Sequence, residues 1–395
     1  MKKKILIAIP TLNSGGVEVS LIRFINELAK NKDLTINLLM LKKIGIYLKD
    51  IPKNVNVLEV EYTNNMYNYN NHIGDFKKYK GIINKIKYLV IRLKLRNYVN
   101  KNNWEAYYKM ILAYTKDVDG EYDLAIDWHG YGHFITTVIA DKVTAKRKAM
   151  WLHDEKNDWL DKISYWQDSF DKIFCVGVSV MNNAIKNKPE LKKKYEVFYN
   201  MTDYENVRKK AEDKTDIIFD KNVTNIVTVG RLEWQKAYDV AIETASLLKQ
   251  ANFKFKWYVI GGGTKEQELK DLVKQKNLED VFIFLGVIAN PFPLVKKADL
   301  YVLSSRHEGY CLATLEAKIL NKVIIATDIE SNREQIKNGE NGFLCPLKPK
   351  AFADKIIEVA KDENIKKQVL KNLQKENFDY RVEFTKLYKL MGVKK

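Results

Sequence analysis

Along this chain, short apolar runs alternate with longer segments whose apolar residues recur every three or four positions. "KILIAIP" leads through a glycine pair into the amphipathic "VEVSLIRFINELAKN" and then "LTINLLML". Further on come "YDLAIDW", "RKAMWLH", "KIFCVGV" and "YEVFYN". Runs of that length, each followed by a helical pattern, predict βα units and a mainly parallel sheet. A polar, irregular stretch, "MTDYENVRKKAEDKTDIIFDKN", breaks the rhythm, which restarts with "NIVTVGR", "KWYVIGG", "VFIFLG", "DLYVLSS" and "KVIIATD". The pattern predicts an α/β chain of two doubly wound domains facing across a cleft, with a boundary near residues 201 to 224. Ligands of such sheets sit at the carboxyl ends of the strands.

A length of 395 residues suits two domains of ordinary size, and 46% hydrophobic with 30% charged residues excludes a disordered or fibrous chain. No window offers the ~18 consecutive apolar residues of a membrane span. The start, "MKKKILIAIPTLN", resembles a signal peptide, but Pro10 and Asn13 interrupt a run already too short, so it reads as a first buried strand. Cys175, Cys311 and Cys345 are odd in number and lack metal-ligand spacing, which points to reduced thiols in a cytoplasm.

The net charge of +17 calls for an anionic partner: nucleic acid, an acidic membrane or a phosphorylated small molecule. Residues 77–101, "KKYKGIINKIKYLVIRLKLRNYVNK", carry nine Lys or Arg and no acid. Ile82, Ile83, Ile86, Leu89, Val90, Leu93 and Tyr98 fall there at helical spacing. Such a helix either lies in an anionic membrane interface or packs its apolar stripe on the domain. No nucleic-acid recognition motif appears, which argues against nucleic acid.

The stretch "DLYVLSSRHEGYCLATLEA" reads as a buried strand, a polar turn and a helix opening near Tyr310. Free N–H groups of Gly309, Tyr310, Cys311 and Leu312, with the helix dipole, make an anion site there. Glu316 then sits four to six residues into the helix, roughly 6 to 9 Å along its axis, a reach that suits the ribose of a bound nucleotide. Glu308, before the helix, faces the other side of the diphosphate, where a sugar would be. In "VTVGRLEWQKAYDVAIETASLL" a strand ends at Gly230 and a helix restarts near Ala237, placing the cations Arg231 and Lys236 at the strand end. A departing diphosphate needs such charge.

Here the chain resembles the GT-B glycosyltransferases, and within them the retaining family 4, glycosyl transferases group 1. Glu308 and Glu316 match the two acids of the E-x7-E motif. The resemblance implies that Glu308 contacts donor-sugar hydroxyls, that Glu316 binds ribose, and that Arg231 and Lys236 stabilise the diphosphate. Ala237 stands where the family has glycine, a departure expected to cost little. The triplet Gly261, Gly262 and Gly263 lacks a full phosphate-loop signature and reads as a turn lining the cleft, with Gly262 in place of a family acid. The resemblance further assigns the nucleobase to the backbone around Val287 and Ile288, and the donor phosphate or the acceptor to Gly15 and Gly16. Glu18 opens the helix after that pair as the acid of a G-G-x-E pattern, a position the helix dipole explains equally well. His153 matches a histidine beside the donor sugar. His129 and His133 have the spacing of a zinc pair on a helix, but Gly130 and Gly132 make this a loop facing the acceptor, and no metal site is expected. The resemblance also implies a last helix, about 378–395, crossing back to an acceptor-binding domain formed by residues 1–203, with 204–377 as the nucleotide-sugar domain.

The expected function is retaining transfer of a sugar from a nucleotide diphosphate donor, UDP favoured, to an acceptor hydroxyl of a lipid-linked or cell-surface polysaccharide precursor. No cofactor or metal is expected. The enzyme would act peripherally at the inner face of the cell membrane. A GT-B epimerase or phosphorylase, and a basic nucleic-acid-binding protein, are the rival readings.

Overall fold

The computed structural model describes residues 2–13, 15–63, 82–156 and 158–393. Two compact units emerge: Met1–Val176 with Val180–Tyr199 and Arg381–Lys395, and Gly177–Ser179 with Asn200–Tyr380.

In the first unit the strands are β1 (Lys3–Ile9), β2 (Leu34–Met40), β3 (Val55–Glu59), β4 (Val118–Tyr122), β5 (Leu124–Asp127), β6 (Val143–Ala145), β7 (Lys148–Leu152), β8 (Lys172–Cys175) and β9 (Tyr195–Val197). Seven of them form one sheet in the order β3-β2-β1-β5-β7-β8-β9, and β4 pairs with β6. All neighbours run parallel. Ile5 to Ile9 are fully buried, as a strand covered by helices on both faces must be. The helix Gly16–Leu28 buries Leu21, Phe24, Ile25 and Leu28 on one stripe against this sheet. Phe24 packs 4.4 Å from Trp128, which stacks on Trp151 at 4.8 Å. The last helix, Phe384–Leu390, joins this core through Phe384, stacked 5.5 Å from Phe24.

The second unit holds β10 (Thr224–Val229), β11 (Phe255–Ile260), β12 (Phe282–Gly286), β13 (Leu300–Leu303), β14 (Val323–Thr327) and β15 (Phe343–Cys345). They form a six-stranded parallel sheet in the order β12-β11-β10-β13-β14-β15. Winding direction reverses between β10 and β13 here, and between β1 and β5 in the first unit, so each sheet has one switch point where strand ends stay uncovered.

Residues 77–81 of the basic stretch lie outside the described residues. The helix Ile82–Asn100 is present, but its packing differs from the expected stripe. Tyr88, Ile91 and Leu95 are buried, whereas Ile82, Ile83, Ile86, Leu89, Val90 and Leu93 are 45% to 75% exposed. At about 100° per residue, Tyr88, Ile91 and Leu95 lie opposite the exposed row, and Tyr98 falls on the buried side rather than in the row. The helix therefore docks on a second stripe and leaves the first in solvent.

The glycine triplet after β11 serves backbone contact. A Cβ on Gly261 would lie 2.0 Å from the Gly230 oxygen, and one on Gly263 would lie 2.4 Å from the Leu232 oxygen. Leu232 N donates to Gly262 O at 3.0 Å, so the turns after β10 and β11 are sewn together. Gly261 also has φ +148, which an L side chain strains to adopt. Gly261→Ala should lower unfolding free energy by more than about 2 kcal/mol, read from urea titrations; a loss under about 0.5 kcal/mol would mean that the turns part freely.

Candidate functional site

From the switch point of the second unit, β10 leads into Gly230, Arg231 and Lys236, and β13 into Arg306, Glu308 and Gly309. Lys236 Nζ donates to Glu308 Oε1 at 2.6 Å, with the side chains only 13% and 8% exposed. The sequence reading names both residues without joining them; the fold makes them a buried ion pair. Cys311 Sγ lies 3.9 Å from the same ammonium. Burial opposes the lysine's charge, yet Cys311 and Glu308 raise its pKa above the ordinary value. Burial pushes the Cys311 thiol up, so it stays neutral near pH 7. Gly230 gives the lysine room, since a Cβ there would meet Lys236 Cε and the Tyr238 hydroxyl at 3.2 Å.

The short turn Trp234–Lys236 is tied to the neighbouring strand end. Arg306 N donates to Gln235 O at 2.8 Å, and Ser304 Oγ donates to Lys236 O and Ala237 O at 3.0 and 3.1 Å. Ala237 closes the turn with φ 50 and ψ 44, a left-handed conformation that glycine adopts freely. The expectation that alanine costs little there is corrected: the Cβ is strained by roughly 1 to 2 kcal/mol.

The helix Leu312–Ile319 begins later than expected, with Cys311 as its N-cap and Gly309 and Tyr310 in the preceding turn. Glu316, its fifth residue, is half-buried. Arg231 is exposed beyond the end of β10. Val287 is 82% exposed, while Ile288 packs against the core. A Cβ on Gly262 would come 3.0 Å from the Val287 side chain.

In the first unit Gly15 and Gly16 open the helix after β1, and they differ. A Cβ on Gly15 would strike the Glu18 carboxylate at 2.3 Å, whereas one on Gly16 would meet nothing within 4 Å. Gly15 is thus accounted for by the folded-back Glu18, and Gly16 leaves open approach. His153, after β7, is buried and its Nε2 donates to Trp128 O at 2.6 Å, which leaves Nδ1 as acceptor. Burial draws its pKa down to about 4 against that hydrogen bond, so it is neutral at pH 7. His129 is drawn down to about 3, by burial first and then by His133 and His153. Gly130 and Gly132 both have φ +60, and the His129–His133 segment is a loop before the helix Phe134–Lys142. Asp127, which the sequence reading passed over, is fully buried; burial raises its pKa to about 6 although Thr136 Oγ1 donates to it at 2.6 Å. Among the described residues no group of three His, Cys, Asp or Glu is arranged to hold a metal.

Two doubly wound parallel sheets of the order seen here, each with polar residues at its switch point, define the GT-B class. Solved structures agree: Anabaena HepE in complex with UDP superposes with TM-score 0.68, 15% identity and 99% coverage of both chains. A Staphylococcus aureus TarM variant in complex with fondaparinux, α-GlcNAc-glycerol and UDP gives TM-score 0.70, 13% identity and coverage of 98% of this chain and 99% of that one. Residues 209–376 match the family model "Glycosyl transferases group 1". One curated relative is the Campylobacter jejuni N-acetylgalactosamine-N,N'-diacetylbacillosaminyl-diphospho-undecaprenol 4-alpha-N-acetylgalactosaminyltransferase, 27% identical over 55% of this chain and 58% of its own. Another is the N,N'-diacetylbacillosaminyl-diphospho-undecaprenol alpha-1,3-N-acetylgalactosaminyltransferase of the same organism, 29% identical over 39% and 40%. The chain spans about half the length of the curated relatives it matches.

The buried imidazole leaves a pH signature. Between about 4 and 6.5 the unfolded chain binds a proton at His153 that the folded chain refuses, so stability rises with pH there and is lost as pH falls toward 4. Asp127 acts oppositely between its ordinary value and about 6, because the folded state holds that proton longer. His153→Asn should therefore remove about 3 kcal/mol of the difference in unfolding free energy between pH 7 and pH 4. Urea denaturation at the two pH values measures it, and an unchanged difference would mean that the imidazole titrates in water.

Proposed function

We propose that the chain transfers a sugar, with retention, from a nucleotide diphosphate donor, a UDP-sugar by preference, to a hydroxyl of a lipid-linked or polysaccharide precursor. The carrying observation is the buried Lys236–Glu308 pair at the switch point of the second sheet. Before substrate arrives, the ammonium has one anionic partner. A donor diphosphate supplies others, and as Lys236 turns to phosphate oxygens Glu308 is released to accept hydrogen bonds from donor-sugar hydroxyls. Arg231 adds a second cation, and the N–H groups from Gly309 to Leu312 meet phosphate at the helix start. Glu316 accepts the ribose hydroxyls, and the backbone at Val287 and Ile288 meets the base. In the first unit Gly16 leaves room for substrate, and the neutral His153 offers Nδ1 to a hydroxyl. Charge developing on the leaving diphosphate is met by Lys236 and Arg231, with no metal called for.

The names of the two Campylobacter relatives, which act on diphospho-undecaprenol glycans, support the lipid-linked acceptor. The UDP complexes of HepE and TarM support the base. Two variants test the division of roles. Glu316→Ala should weaken UDP binding by ~1.5 to 3 kcal/mol by calorimetry. Lys236→Ala should instead cut kcat on the order of 100-fold or more. Unchanged UDP affinity in the first, or kcat within a factor of about two of the parent in the second, would remove the assigned role.

Such an acceptor places the enzyme peripherally at the cytoplasmic face of the membrane. No described helix is long and apolar enough to cross a bilayer. The helix Ile82–Asn100 suits its surface, because the exposed row centred on Ile86 is flanked by Lys85, Arg92 and Arg96 on one side and by Lys87 and Lys94 on the other. Each cation near anionic headgroups contributes about 1 kcal/mol. The protein should co-float with anionic vesicles at low salt and release at high salt. Replacing Lys85, Lys87, Arg92 and Lys94 with glutamine should abolish flotation and leave UDP affinity intact. A parent protein that stays free of vesicles at low salt would sink the membrane assignment.

A further inference from the structure

The loop that leaves β2 displays apolar side chains which neither the transfer chemistry nor the basic helix uses. Ile44 is 40% and Ile46 60% exposed, among the exposed lysines Lys42, Lys43 and Lys49. That exposure is not looseness. Lys42 N donates to Pro10 O at 3.2 Å, Leu12 N to Ile44 O at 2.9 Å and Tyr47 N to Leu12 O at 3.3 Å. Lys43 N donates to Glu59 Oε2 at 3.1 Å, which ties the loop to the end of β3 as well. Gly45, with φ +138, lies so close to Leu12 that a Cβ there would stand 2.0 Å from its carbonyl. The backbone is therefore pinned around Gly45, and the isoleucines on either side of it are held where water reaches them.

Keeping two branched side chains in water forgoes the stabilisation their burial would give. Among the described residues, nine of the fifteen exposed large hydrophobic side chains lie on this loop and on the helix Ile82–Asn100, both in the first unit. Lys42, Lys43, Lys49 and Lys53 have no ion-pair partner among the described residues, and Asp50 is the single acid from position 41 to 53. An apolar tip among unpaired cations matches the boundary between anionic headgroups and acyl chains, where branched side chains sink and ammonium groups stay with the phosphates. The loop is also bonded to Leu12, three residues before Gly15, and so stands beside the strand end where Gly16 leaves open approach. We propose that this loop is a wedge that enters an anionic lipid surface through Ile44 and Ile46 and holds the strand end of the first unit against the bilayer that presents the acceptor. The basic helix supplies adhesion and the loop supplies depth. This rests on the reading of the acceptor as lipid-linked.

A probe at position 46 tests it on the full chain. Cys175, Cys311 and Cys345 are buried, so Ile46→Cys can be labelled alone with the environment-sensitive fluorophore NBD. A labelled control, Lys32→Cys, is exposed just before the other end of β2. With vesicles of equal parts phosphatidylcholine and phosphatidylglycerol at low salt, the label at 46 should shift to the blue and be quenched by lipids brominated on their acyl chains, while the label at 32 does neither. In unlabelled protein, Ile44→Ser with Ile46→Ser should lower the vesicle partition coefficient about tenfold and hold UDP affinity, which reports the folded chain, within about a factor of two. Protein that floats with the vesicles while the label at 46 stays in water overturns the wedge, as does an unchanged partition coefficient in the double variant. A blue shift that grows with protein concentration before any vesicle is added gives the loop to a second copy of this chain and also overturns it. Parent protein that stays free of these vesicles defeats the membrane reading beneath, and the wedge with it.

Discussion

A lysine and a glutamate 2.6 Å apart, both largely shielded from water, set how the strand ends of the second unit must be built. Withdrawing two such charges costs several kcal/mol per ion, and their attraction offsets this only if the geometry is held. The holding is done by hydrogen bonds to backbone. Gln235 O accepts from Arg306 N, Ser304 Oγ donates to Lys236 O and Ala237 O, and the Tyr238 hydroxyl donates to Gly230 O. These ties span β10 and β13, strands adjacent in space and 71 residues apart from the end of one to the start of the next. Only a sheet that reverses its winding between them leaves their carboxyl ends open to each other.

That openness has local costs, and they cluster at the same strand ends. Ala237 is held left-handed, with φ 50, in the turn that carries Lys236. Gly230, Gly261 and Gly263 are spent on close approach, so none can supply a side chain to the site. In the first unit Asp127 and His153 are buried at strand ends where burial penalises their charged forms. Such costs persist only because the cores beneath are large and apolar, as in the aromatic stack of Phe24, Trp128, Trp151 and Phe384.

Much of the fold was legible because parallel strands covered on both faces read as unbroken apolar runs, as at Ile5 to Ile9. The strands β3, β4, β6 and β15 were not, since polar residues break the apolar run in VNVLE, VDGEY and VTA, and FLC offers only three positions. The site acids and cations were legible as types at spacings. Their pairing was not, because Lys236 and Glu308 meet through a strand register that no local pattern encodes. The left-handed Ala237 was hidden for a different reason: alanine signals helix, and only the αL geometry of the turn exposes the strain. On the basic helix the spacing revealed an apolar row, but row and docking face both recur every three or four residues, so the sequence could not say which one the protein covers. Tyr88, Ile91 and Leu95 are the ones it covers.

The two switch points are electrostatically unlike, and the difference follows from what surrounds each polar group. In the second unit Lys236 remains charged despite burial, since an acid lies against it. In the first, burial is the leading influence on His129, His133 and His153, and Asp154, which acts on His153, does not offset it, so all three are pushed toward neutrality. A strand end that keeps fixed charge is matched to an anion such as a diphosphate. One lined by neutral imidazoles is matched to uncharged hydroxyls, which need directional acceptors and donors rather than a field. The proposed substrates, a sugar nucleotide and a glycan hydroxyl, would present those two demands, and the two sheets of one topology differ in whether a counter-charge lies beside the buried group.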